Sequence, residues 1–202
     1  MHLIDLAEQT RLLGQTPGEL QDLRTEIEGV RAGGITRPVR EITPLAVRAH
    51  NLSVRCLQQL DALSTSQYAA MKVGHENLAH LAEAALRISI ASALCTYGIT
   101  GRTDALLYED SDDTPETSRR HLSEASDELG RAARTYRVLA QSLSRRLASA
   151  AAQAEDAQRI GRAVGGSGVT TLAPSSAPSP ASVPPVVSPA ASGPPRVRSP
   201  HR

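Results

Sequence analysis

Between Leu122 and Leu143, apolar or small side chains recur at alternating intervals of three and four: Leu122, Ala125, Leu129, Ala132, Tyr136, Leu139 and Leu143. That spacing draws one stripe along a helix and is incompatible with a strand, whose faces alternate with period two. The stripe then steps by four to Leu147 and resumes at Ala150, Ala154 and Ala157, a single stutter in a coiled-coil-like seam. A stripe this long needs a partner of similar length. Residues 44–98 offer one, because positions 45, 49, 52, 56, 60, 63, 70, 74, 78, 81, 85, 88, 92 and 95 are apolar or small, with Gln67 filling the gap. Either one helix or two, broken near Ser64-Thr65-Ser66, fits the pattern. The two segments are expected to pair as the arms of an antiparallel hairpin.

Helix starts are read from proline. Thr16-Pro17-Gly18-Glu19, Thr43-Pro44 and Thr114-Pro115 each place a hydroxyl at an N-cap before a first-turn proline, and Glu19 completes a capping box with Thr16. Gly14, Gly33-Gly34 and Gly98 read as stops. Helices are therefore expected at about 2–13, 17–32, 44–98 and 115–162. No segment alternates with period two between turn signals, so no sheet is expected. The fold class is all-α: an elongated antiparallel hairpin or bundle, preceded by two shorter helices and confined to one domain over residues 1–163.

The core must be made without Phe or Trp, since four tyrosines are the only aromatics. Leu, Ala, Val and Ile allow close helix approach but bury less area per residue, which favours oligomerisation. Beyond residue 163 the composition changes. Residues 164–202 hold nine of the 13 prolines together with Ala, Ser, Gly and Val, a composition that cannot offset its ordering entropy, so a disordered tail is expected. No two of its prolines are three apart, and the spacing of polyproline-groove ligands is missing.

Formal net charge is +1, which gives no general attraction to nucleic acid or membrane. The distribution is uneven: residues 104–128 carry nine acids and two Arg, whereas 129–154 carry five Arg and no acid. At 100° per residue Arg131, Arg134 and Arg145 fall together, opposite the apolar seam, and form an outward basic stripe. It can meet an acidic protein or nucleic-acid phosphates; with no interleaved aromatics, contact to bases is not expected.

Other constellations are weaker. Glu76, His80 and Glu83 on one helix and His121, Glu124 and Glu128 on another are spaced to share a face, as in bundle metal sites, but the Glu-x-x-His order of di-iron proteins is absent. They flank the apolar stripes, as solvated residues do, so no metal ligands are assigned. Glu109-Asp110-Ser111-Asp112-Asp113 lacks the glycine and terminal glutamate of a calcium loop. Leu6-Ala7-Glu8-Gln9-Thr10 followed by Leu20 resembles a helix-turn-helix, with Arg11 where the turn glycine belongs and acids along the would-be recognition helix 17–32. Tyr108-x-x-x-Asp112 resembles the Tyr-x-x-x-Asp/Glu export motif of actinobacterial type VII helical hairpins, although the Trp-x-Gly turn of that family is missing.

No phosphate loop, Ser/His/Asp framework, His-Glu-x-x-His or Cys-x-x-Cys occurs, so no catalytic residue and no cofactor is assigned, and an enzyme is not expected. Cys56 and Cys95 sit among apolar helical neighbours and read as buried free thiols. The N-terminus lacks a basic region leading into an apolar run, and the most apolar uncharged window, Ile88 to Ile99, is short of the ~20 residues that span a bilayer. A cytoplasmic protein without a membrane partner is expected. Its function is read as protein–protein interaction or assembly, as a homo-oligomer or with another protein. The alternatives are nucleic-acid backbone binding through Arg131, Arg134 and Arg145, and metal binding within the bundle.

Overall fold

In the computed structural model, which describes residues 3–108 and 115–165, five α-helices form an antiparallel bundle and no strand occurs among the described residues. The helices are α1 (Leu6–Ala32), α2 (Pro38–Ser64), α3 (Gly74–Leu107), α4 (Pro115–Ala148) and α5 (Ala150–Gly165), with a 3-10 turn at Gln67–Ala70. Around the bundle α1 lies against α4, α4 against α3 and α3 against α2, while α1 and α2 touch only lightly. The all-α bundle read from the sequence is the observed fold. The calcium-like loop and the Pro-rich tail lie outside the described residues.

Several boundaries differ from expectation. Residues 2–13 and 17–32 are not two helices; α1 runs through Gly14 and Pro17 without a break. Its cap is Asp5, whose Oδ1 accepts from the amides of Ala7 (2.9 Å) and Glu8 (3.3 Å). Thr16 is no cap, and its hydroxyl donates to the Leu12 carbonyl one turn back. Proline in a helix interior costs about 3 kcal/mol, yet here one buried seam of Leu13, Pro17, Leu20, Leu23 and Ile27 crosses it. Splitting the helix would strand half of that seam. The helix-turn-helix resemblance fails for the same reason, because its turn is helical.

The second start is also early. α2 begins at Pro38, not Pro44, and Ile42 extends the buried stripe of Leu45, Ala49, Leu52 and Cys56 back across Pro44. Of the two readings of 44–98 the broken one holds, so α2 and α3 pair with each other rather than forming one arm. Ser53 and Ser89 hydroxyls meet at 2.5 Å, and the Ser92 hydroxyl donates to the Ala46 carbonyl. Gly98 is not a stop: α3 continues to Leu107, and the Gly98 carbonyl accepts from the Ser118 hydroxyl of α4 at 2.8 Å.

The start at Pro115 is as expected, but the last helix does not run to 162. It breaks at Ser149, whose hydroxyl caps α5 by accepting from the Ala152 amide. The break turns α5 onto the end of the bundle. There the carboxylate of Asp156, 6 % exposed, accepts from Arg146 Nη2 (2.7 Å), Arg146 Nε (3.1 Å) and the Lys72 amide (3.2 Å). At the same end Gln67 leaves the apolar stripe and pairs with the backbone of Ile4, its amide nitrogen donating to the carbonyl and its oxygen accepting from the amide. The long hairpin is thus shared between α3 and α4, each 34 residues and about 50 Å long.

Candidate interaction surface

α3 carries more apolar surface than the core uses. Leu81, Ala84, Ala85, Ile88, Ala91 and Cys95 face inward and are buried. The opposite side of the helix, within a sector about 100° wide, presents Ala79, Ala82, Leu86, Ser89, Ile90, Ala93, Tyr97 and Thr100. All are exposed, including Leu86 (59 %), Ile90 (40 %) and Tyr97 (59 %). Between Arg87 and Arg102 no residue of α3 is charged. Ordinary amphipathic helices put charge on the solvent side; here six turns of the solvent side have almost none.

α2, packed beside α3, continues this flank with the exposed side chains of Val47, Val54 and Leu57, with exposed His50 between Val47 and Val54 and exposed Asp61 one turn beyond Leu57. Its arginines turn the other way, Arg48 to Glu26 and Arg55 to Glu19 across the opening between α1 and α2. The charges of α3 are likewise withdrawn: Arg87 reaches Glu83 at 2.5 Å and Glu128 of α4 at 3.0 Å. The uncharged flank is therefore bordered by ion pairs on both sides and crossed by none among the described residues. The helix is also long and apolar enough to cross a membrane, with an 18-residue window of mean hydropathy 1.4. The 12-residue window read from the sequence understated it, since it took Arg87 as a boundary where the helix continues.

Arg131, Arg134 and Arg145 are all exposed on the outer side of α4, and Arg137, also exposed, lies round the helix toward α1. Arg131 is held by Glu128, and Arg145 Nε donates to the Gln141 carbonyl of its own helix. Asp127 and Glu124 share the outward face one and two turns before Arg131.

The two metal-like sets do not converge on an ion site. Glu83 and Glu128 close on Arg87 instead, and these hydrogen bonds, Glu83 first, raise the guanidinium pKa above its ordinary value. Glu76 pairs with His80, and His121 with Glu124, each at the limit of an ion pair. No cluster of three His, Cys, Asp or Glu able to hold a metal occurs among the described residues. His121 packs on Tyr97, ring centroids 5.9 Å apart, with its Nδ1 buried and without a hydrogen-bond partner among the described residues. Tyr108 caps α3 and is exposed, while Asp112 of the export-like motif lies outside the described residues.

Both cysteines are buried free thiols, as expected. Burial pushes Cys95 up to about 12. Cys56 is raised as well, against the neighbouring Tyr136 hydroxyl, and forms part of the floor of an open groove of about 320 Å³ between α1 and α2. Leu12 and Leu52 line the same groove, and Gln9, Gln15 and Gln59 rim it.

Fold and surface together define a class: an antiparallel helical bundle, capped by a fifth helix, with one uncharged flank. Comparison with protein-family models, with curated proteins and with solved structures gives no significant match.

Proposed function

We propose that this chain is a non-catalytic interaction or assembly protein of the cytoplasm that binds through the outer flank of α2 and α3. One observation carries the reading: a solvent-facing stripe of Ala, Leu, Ile, Ser, Thr and Tyr without a charge from Leu86 to Thr100 except Arg87, which turns aside to Glu83 and Glu128. Bundles need apolar residues on one side of a helix, and a second apolar side has an energetic use only when something covers it.

Affinity capture with the wild type and with Ile90→Glu, carried out in parallel, tests this. Proteins held through the flank, including further copies of the chain, are retained by the wild type and lost from the variant. Equal retention by both refutes the reading.

A second reading is backbone contact to nucleic acid through α4, favoured by the exposure of Arg134, Arg137 and Arg145 without acidic partners among the described residues. Such binding weakens steeply with salt. Absence of binding to duplex and single-stranded DNA at low salt removes it.

A further inference from the structure

We infer that the partner covering this flank is a second copy of the chain, placed by a two-fold axis that lays α3 antiparallel on α3. This inference rests on the reading of the flank as an interaction surface.

In a two-fold antiparallel pair, a residue a given distance before the axis meets the residue the same distance after it. An axis passing midway between Ser89 and Ile90 sets Leu86 against Ala93, Ala82 against Tyr97, Ala79 against Thr100 and Ser89 against Ile90. In every pair a larger side chain faces a smaller one. That alternation is what lets two helices interdigitate rather than ride on each other's bulk. At the ends of the seam the same axis opposes His75 with Asp104, so the polar residues that close it also match.

The axis also settles what becomes of α2. Ser53 of α2 is bonded to Ser89 at the level of the axis. Rotation therefore lays α2 over its copy on the same side, and Val47, Val54 and Leu57 enter the same interface. The exposed apolar side chains of both helices amount to on the order of 600 Å² per copy, at or above the largest patch an ordinary monomer shows. Two copies then bury roughly 1,200 Å², the lower bound of stable, specific interfaces. On α3 no charged side chain lies on the seam between Leu86 and Thr100; on α2 the exposed His50 and Asp61 lie among Val47, Val54 and Leu57, and the antiparallel two-fold does not oppose either to its own copy.

Sedimentation velocity of the full chain from about 1 to 100 µM tests the inference, with a dimer of twice the 21.4 kDa chain expected. Ile90→Glu and Ala93→Glu place charges at exposed positions and are expected to weaken dimerisation at least tenfold while leaving helix content unchanged.

Register is tested by mild oxidation of Ala82→Cys/Tyr97→Cys. Its two thiols lie too far apart on one helix to join within a chain but oppose each other across the axis. Fast cross-linking is expected there, and none for Ala79→Cys/Tyr97→Cys; Cys95 is buried, and Cys56, on the floor of the α1–α2 groove, is replaced by Ala in both variants.

A monomer throughout the range overturns the inference, as does a dimer indifferent to Ile90→Glu or cross-linking in the mismatched register. A monomer whose flank still retains another protein in the capture experiment overturns the second copy and leaves the interaction reading standing. Sedimentation of such a monomer with phosphatidylcholine vesicles assigns the flank to lipid and overturns both.

Discussion

Arg146 and Asp156 meet as a two-point ion pair across the break at Ser149, Nη2 to Oδ1 at 2.7 Å and Nε to Oδ2 at 3.1 Å. The same carboxylate accepts from the Lys72 amide, so one side chain ties α4, α5 and the connection between α2 and α3 together. Removing it leaves the Lys72 amide unsatisfied and a largely buried guanidinium with only the longer Glu155 contact, 3.7 Å. Asp156→Ala is expected to cost about 2–3 kcal/mol. The melting temperature should fall by roughly 5–10 °C, and limited proteolysis should cut first near Ser149. An unchanged melting temperature would show that α5 contributes nothing to the bundle.

The break was visible in the sequence only as a stutter. The seam of α4 steps by four from Leu143 to Leu147 and then resumes, and a helix that merely drifts gives the same pattern as one that turns back. What decides between them is Asp156, a long-range partner that periodicity does not contain. At the N-terminus two signals compete. Thr-Pro is a strong local start signal, and it was outweighed by a stripe running through it from Leu13 to Ile27. That stripe is present in the sequence; local capping chemistry simply competes with it, and continuous burial on α4 is worth more than the roughly 3 kcal/mol proline penalty. The flank of α3 is present in the sequence as the uncharged window from Ile88 to Ile99, which carries the inward stripe of Ile88 and Cys95 and the outward one of Ile90 and Tyr97 together. Only the position of α2 and α4 shows which half of that window remains outside.

The glycines of α1 and α3 should respond in opposite ways. Nothing lies within 4 Å of a Cβ built on Gly14 or Gly18, so helix propensity alone decides there. Gly14→Ala and Gly18→Ala are each expected to stabilise by about 0.5–1 kcal/mol. A Cβ on Gly74 would instead overlap the Tyr68 carbonyl oxygen, with the Ala69 carbonyl also close. Gly74→Ala must displace the 3-10 turn and should destabilise by about 1–3 kcal/mol. Chemical denaturation of the three variants checks the contrast.

Arg87 separates ion pairing from metal binding. It spans Glu83 and the partly buried Glu128, the two carboxylates of the metal-like sets that come nearest each other. Arg87→Gln leaves two carboxylates without their shared cation and should cost about 1–2 kcal/mol, less in high salt. Purified wild type should carry no stoichiometric metal, and its melting temperature should not move with Fe²⁺ or Mn²⁺. A metal-dependent rise would displace this account of the cluster.

Alkaline solution should loosen the bundle before it reaches the arginines. Burial holds the Cys95 proton from an ordinary 9.0 up to about 12, and Cys56, Tyr68 and Tyr136 are raised in the same direction, mainly by burial. A raised folded-state value means that the unfolded chain releases its proton first. The stability from each group is complete below its unfolded value and drains away as pH climbs toward its folded one. Cys95 alone should give a loss of about 1.4 kcal/mol per pH unit between pH 9 and 12. Cys95→Ala should cost about 1 kcal/mol at neutral pH and flatten the alkaline slope by that increment. Urea titrations at pH 8, 9 and 10 measure the slope, and a variant with the wild-type slope would mean that the thiol ionises freely in the folded protein.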